Sequence, residues 1–125
     1  MKTNFSRVKD FHRAFNQQIS TKPQLLDTTT AELRMELIDE EFTELEVAIQ
    51  QQNIITIADA LTDLLYVVYG FGVSAGIDLD ACFREVHTSN MTKLNSDGTA
   101  IYREDGKVLK GENYRAPDLK KVLFS

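Results

Sequence analysis

At 125 residues and 42% hydrophobic, the chain has the length of one domain and enough apolar material for a small core. A formal net charge of -5 argues against general nucleic-acid binding, and a single cysteine, Cys82, rules out a disulfide framework within the chain and fits a reducing compartment. With only 2 Pro and 6 Gly there is little turn material for many short strands, so long helices are expected.

Phe5, Val8, Phe11, Phe15 and Ile19 recur at spacings of three and four, which predicts a helix over residues 3–18. Lys2, Arg7 and Lys9 are not followed by the apolar stretch of a signal peptide, so a cytoplasmic location is expected. "STKPQLLDTTT" reads as a loop with Pro23 as breaker, and Asp27 to Thr30 offer N-caps for a second helix over 29–51. A third helix is expected over 53–75, with Gly76 just past its end. Asp78 is placed to cap a fourth, "LDACFREVHTSNMTKL", fraying near Asn95. Beyond it, "AIYR" and "KVLK" suggest a small hairpin turned at Asp105-Gly106, and Pro117 is expected at the first position of a last helix, "DLKKVLF". The pattern is that of an all-α protein, a bundle of four to five helices with a short hairpin-containing tail. Residues 1–125 read as one domain: a helical body over 1–90, with 7 basic and 14 acidic side chains, and a tail over 91–125, with 7 basic and 5 acidic.

The third helix is apolar enough to raise the question of a membrane. Between Ile54 and Ala75 only Asp59 and Asp63 carry charge. Each would cost about 2.5–3.5 kcal/mol near a bilayer centre, so a helix buried in a soluble bundle is expected instead.

The acids of the two central helices are unusually placed. On a wheel of the second helix, Leu33, Leu37, Ile38, Leu45, Ala48 and Ile49 share a broad face, with Glu32, Glu36, Asp39 and Glu46 opposite. Glu41 and Glu44 fall inside the apolar sector and Glu40 at its edge. Asp59 and Asp63 share one face of the third helix, which has almost no polar side. Antiparallel packing across the short link "QQQN" would gather these carboxylates into one pocket. Buried together, they must take up protons or hold a cation, and an all-carboxylate set suits Mg²⁺ first, with Mn²⁺ possible. A di-iron site needs Glu-x-x-His pairs, but Arg84 stands three before His87 and Lys9 three before His12. "YGFGVSAG" lacks the spacing and the preceding strand of a dinucleotide fingerprint, and Walker, Ser-nucleophile and Cys-nucleophile motifs are absent.

"LIDEEFTELEVAI" followed by "IADALTDLLYVVYGFGVSAGIDLD" resembles the MazG-like all-α NTP pyrophosphohydrolases, the group of dimeric dUTPases and phosphoribosyl-ATP pyrophosphohydrolase. Their shared motif is Glu-x-x-Glu, a spacer, then Glu-x-x-Asp. Glu41 and Glu44 match the first pair and Asp63 the final Asp, while Ala60 stands where the second Glu belongs and Asp59 lies one position earlier. "EVHTSNMTKL" and "GTAIYREDGKVLKGENYRAPDL" extend the likeness through the tail, toward a bacterial and phage subgroup.

The resemblance implies hydrolysis of a nucleoside triphosphate to monophosphate and pyrophosphate, in nucleotide-pool house-cleaning. The alternatives are the phosphoribosyl-ATP reaction of histidine biosynthesis and a non-catalytic helical binding protein. It also implies a homodimer or dimer of dimers. Under this reading Glu41, Glu44, Asp59 and Asp63 hold Mg²⁺, and Glu40 is the candidate general base. Lys93, Lys107 and Lys110 offer charge to phosphate oxygens, and Asn90 and Asn113 add hydrogen bonds. Phe11, His12, Phe15 and Asn16 precede a loop that can close over a ligand, and their rings suit either a nucleobase or plain core.

Overall fold

A computed structural model describes residues 2–125. The chain divides into two compact units, Met1–Leu79 and Asp80–Ser125.

The first unit holds α1 (Asn4–Ala14), α2 (Thr28–Gln51) and α3 (Ile54–Ala75), with α3 packed against both others. Each helix begins at a side-chain cap. Thr3 accepts from the Ser6 amide, Asp27 from Thr30, and Asn53 from Ile55 and Thr56. Such caps satisfy amides that a helix start leaves open and stabilise by about 1 kcal/mol each. Gln52 takes a left-handed conformation (φ 55°) and Asn53 caps the next helix, so α2 reverses into α3 within two residues.

α1 stops at Ala14, short of the expected 18. Asn16 adopts φ 55°, a conformation Asn tolerates, and the Gln17 amide turns back to the His12 carbonyl. Phe15 still packs its ring on Phe11 (centroids 4.5 Å), but Ile19, beyond the turn, leaves the helical face. The chain beyond Asn16 lies along the end of α3. The Ser20 amide donates to the Val73 carbonyl (3.1 Å), the Gln24 amide to Ala75 (2.9 Å) and the Ser74 hydroxyl to Gln18 (3.0 Å). Gly76 ends α3 at φ 70°, where a Cβ would run into the Lys22 carbonyl, so both the dihedral and the contact require glycine.

The expectation that α3 is a buried helix holds only at its C-terminal end. Gly70 and Gly72 to Ala75 are buried, but Ile54 and Ile55 are 75% and 77% exposed, and Leu61 and Leu65 are exposed too. The short α1 does not reach the start of α3, and α2 covers one side only. By length and composition α3 could cross a membrane, yet Asp63 points to acids of α2.

The second unit carries most of α4 (Leu79–Met91), then β1 (Ile101–Tyr102), β2 (Val108–Leu109) and α5 (Leu119–Phe124). α4 ends at Met91, before the expected fraying point, as Thr92 and Lys93 turn back to the carbonyls of Ser89 and Asn90. The hairpin forms as expected, pairing Ile101 with Leu109 and Tyr102 with Val108, and Gly106 takes φ 90° in the turn. Pro117 is not the first residue of α5. Asp118 caps that helix by accepting from the Lys121 amide, which places Pro117 one residue outside. Ser89 donates to the Arg115 carbonyl (2.7 Å) and Asn113 to Ser96 (2.9 Å), tying α4 and the loop after it to residues near 115.

Candidate active site

Along α2 the covered positions recur every seven residues: Arg34 and Ala48 are buried and Glu41, between them, is half-buried. α3 answers with Ala60, Asp63, Val67, Gly70 and Ser74, all buried or half-buried. Two antiparallel helices with such seams meet in layers, and an acidic layer forms where Glu41 faces Asp63. Among the described residues Glu41, Glu44 and Asp63 are brought together, with one carboxylate oxygen of each within 4.8 Å of the others.

The electrostatics of this group are those of a site under repulsion. Burial raises the pKa of Glu41 above its ordinary value, and the charges of Glu44 and Asp63 raise it further. Asp63 is raised by burial, then by Asp59 and Glu44. Oε2 of Glu41 is shut off from solvent and has no hydrogen-bond partner. A buried lone pair without a donor, among carboxylates within 4.8 Å, is a donor set suited to a hard divalent cation.

Asp59 and Glu40 are not part of this trio. Asp59 is exposed, yet it lines the same cavity as Glu44 and the buried Ala60, a space of about 280 Å³ also bounded by Thr43, Val47, Ala48, Gln51 and Thr56. The space beside Ala60 is thus bordered by a carboxylate from the neighbouring position. Glu40 is exposed and adds its charge to Glu41.

The five phosphate candidates belong to the second unit. Asn90 and Lys93 line a cavity of about 390 Å³ with Met91, Leu94, Ala100, Tyr102 and Val108. Nζ of Lys110 lies 4.8 Å from the ring centre of Tyr114, and the Asn113 amide is engaged with Ser96. Lys107 closes the hairpin turn through its carbonyl, which accepts from the Arg103 amide.

One buried cation escaped the sequence reading. Arg34 is 5% exposed, its Nε has no partner, and NH2 donates to Oε1 of Gln17 (3.2 Å). It sits beside His12, whose Nδ1 is 2.9 Å from the Gln18 carbonyl. Burial lowers the pKa of His12 from its ordinary 6.5, so the neutral ring donates through Nδ1. The signal available was spacing, since Arg34 precedes Glu41 by the interval at which Ala48 follows it.

Comparison with known proteins gives the same direction. A sequence model described as PRA-PH, phosphoribosyl-ATP pyrophosphohydrolase, matches residues 8–90. An uncharacterized protein of Acanthamoeba polyphaga mimivirus is 34% identical over 128 residues, covering 97% of this chain and 48% of its own length. The chain thus spans about half the length of that relative.

Proposed function

This chain belongs to the phosphoribosyl-ATP pyrophosphohydrolase family, within the MazG-like all-α NTP pyrophosphohydrolases, and on that premise we propose that it hydrolyses a nucleoside triphosphate to the monophosphate and pyrophosphate. The observation that carries the reading is the close set Glu41, Glu44 and Asp63, with the unpartnered Oε2 of Glu41 among them. These three, with Asp59 from the adjoining cavity wall, are the residues that would hold Mg²⁺ or Mn²⁺. When bound, the ion supplies charge neutralisation at the phosphates and lowers the pKa of a bound water. Glu40 takes the proton of the attacking water, its exposed position beside Glu41 leaving it open to solvent. As water oxygen bonds to phosphorus, the anhydride bond breaks and its electron pair leaves with pyrophosphate. Lys93, Lys107, Lys110, Asn90 and Asn113 are the tail's candidates for phosphate contacts.

Nucleotide-pool house-cleaning is the first reading of the substrate. The phosphoribosyl-ATP reaction is the second, favoured by the family description that matches residues 8–90. We place the protein in the cytoplasm and read it as a homo-oligomer, the second reading supported by the uncovered apolar start of α3.

The test is pyrophosphate release from a panel of nucleoside triphosphates and phosphoribosyl-ATP, in Mg²⁺ and in EDTA. Glu41→Gln, Glu44→Gln and Asp63→Asn should each lose most of the Mg²⁺-dependent activity while remaining folded, and Glu36→Gln, on the exposed face, should lose little. Activity lost only in step with unfolding would make the acids structural.

A further inference from the structure

A groove between α1 and α3 opens along the stretch of α3 that also carries Asp63. It encloses about 240 Å³ and is lined by Asn4, Arg7, Val8, Thr62, Leu65, Tyr66 and Tyr69. That is below the roughly 300 Å³ at which pockets take a whole drug-sized ligand, so it suits one ring system rather than a whole nucleotide.

Its position and lining identify the ring. Thr62 precedes Asp63 in the chain, and Tyr66 lies three residues beyond it, a spacing that places side chains about 5–6 Å apart on a helix surface. A molecule whose phosphates lie at Asp63 therefore has the groove within reach of its other end. The tyrosine rings are braced: Phe11 packs edge-on against Tyr66 (centroids 5.5 Å, 89°) and Phe5 against Tyr69 (6.2 Å, 67°). Tyr66 is still 39% exposed, leaving ring surface for a ligand. The polar rim is rich in donors. NH1 of Arg7 donates to Oδ1 of Asn4 (3.0 Å), which leaves the rest of the guanidinium and the Asn4 NH2 free to donate. The Thr62 hydroxyl spends its proton on the Ala58 carbonyl (2.7 Å) and keeps acceptor capacity.

We propose that the α1–α3 groove is the base-recognition subsite for the nucleotide whose phosphates meet Glu41, Glu44 and Asp63, stacking the heterocycle on Tyr66 and reading its carbonyl oxygens through Arg7 and Asn4. The proposal rests on the pyrophosphohydrolase reading. The donor-rich rim favours oxo-bearing bases, guanine or uracil, over adenine: an arginine fork pairs with the adjacent O6 and N7 of guanine, and single donors reach the separate carbonyls of uracil.

The experiment has a kinetic arm and a binding arm. Tyr66→Ala and Arg7→Gln should raise KM for dGTP and dUTP about tenfold, the scale of losing one base-stacking contact, with kcat changed less than about twofold. The inhibition constant of inorganic tripolyphosphate, which has no base, should not move. Thr62→Val, nearly isosteric, guards against loss of fold and should shift the ranking of bases rather than raise every KM alike. In the binding arm, amide NMR shifts in EDTA should change at Arg7, Thr62, Tyr66 and Tyr69 on addition of dGMP or dUMP, and not with pyrophosphate. Unchanged KM values in the variants, an equal loss of tripolyphosphate inhibition, or nucleotide-insensitive groove amides would each overturn the assignment. An inactive wild type whose groove amides still respond to dGMP would sink the hydrolase reading and leave the base subsite standing.

Discussion

Replacing Glu41 by Gln should make the metal-free protein more stable. The three carboxylates lie within 4.8 Å of one another, so each ionised pair repels by about 0.9 kcal/mol in water-like surroundings and about 3.5 kcal/mol at the effective dielectric of a protein surface. Glu44 is exposed, so the water-like end governs, at about 1 kcal/mol per pair. Glu41 takes part in two of these pairs, and Gln also gives a donor to a position where Oε2 has no partner. Solvent around the exposed Glu44 screens part of the repulsion, leaving a gain of about 1 kcal/mol. For a chain of this size that is a melting temperature higher by about 3–5 °C. The assay is thermal unfolding at pH 7 in EDTA, at one protein concentration because an oligomer melts in a concentration-dependent way. The same melts in millimolar Mg²⁺ should stabilise the wild type and do much less for the variant. A metal-free Glu41→Gln protein that melts about 3 °C or more below wild type would refute the reasoning, since the carboxylate would then be making a favourable contact.

Asp59→Asn should cost as much pyrophosphate release as Asp63→Asn, roughly a hundredfold, and adding Ala60→Glu should restore part of it by placing a carboxylate in the adjoining cavity; an Asp59→Asn enzyme with wild-type kinetics would remove Asp59 from the set. Stability should fall as pH drops below about 6.5, because His12 has a lowered pKa when folded and the unfolded chain binds the proton first. The loss levels off below the folded pKa, and the difference in denaturant midpoint between wild type and His12→Asn across pH 5–7 isolates it from the opposite drift of Glu41 and Asp63. Gly76→Ala should destabilise by about 1–3 kcal/mol in urea unfolding, from a left-handed dihedral and a backbone clash with Lys22. Light scattering at micromolar concentration should give a mass above that of one chain, and a monomer would leave the exposed Ile54, Ile55 and Leu61 unexplained.

Where the pattern was periodic, the sequence was legible. α2 and α3 were placed within a residue or so, because their apolar spacing is long and their starts carry Asp27 and Asn53 as caps. Glu41, Glu44 and Asp63 were legible for the same reason: acids at apolar positions stand out on a wheel. Asp59 was harder, because a shared face on one helix does not tell how far a shorter side chain reaches. Arg34 was missed because charge on a wheel marks solvent, while here the guanidinium lies buried against Gly70. The end of α1 was misjudged because Ile19 keeps helical spacing with Phe15 after Asn16 has turned the backbone. The exposure of α3 was out of reach of periodicity, which tells that a surface is apolar and not how much of it the same chain covers.

The strap from Gln17 to Gln24 lacks helix and strand, yet it is bonded into the end of α3. Its partners Ser20 and Ser74 are separated by 54 positions in sequence. The Ala75 carbonyl, which a helix end leaves open, is completed by the strap's Gln24 amide, and the Val73 carbonyl, already accepting from Gly76, gains a second donor in Ser20. The last turn of α3 and the strap therefore form one cooperative unit. In hydrogen exchange the Ser20 and Gln24 amides should behave like core amides, with protection lost together, although they sit in what looks like a connecting loop.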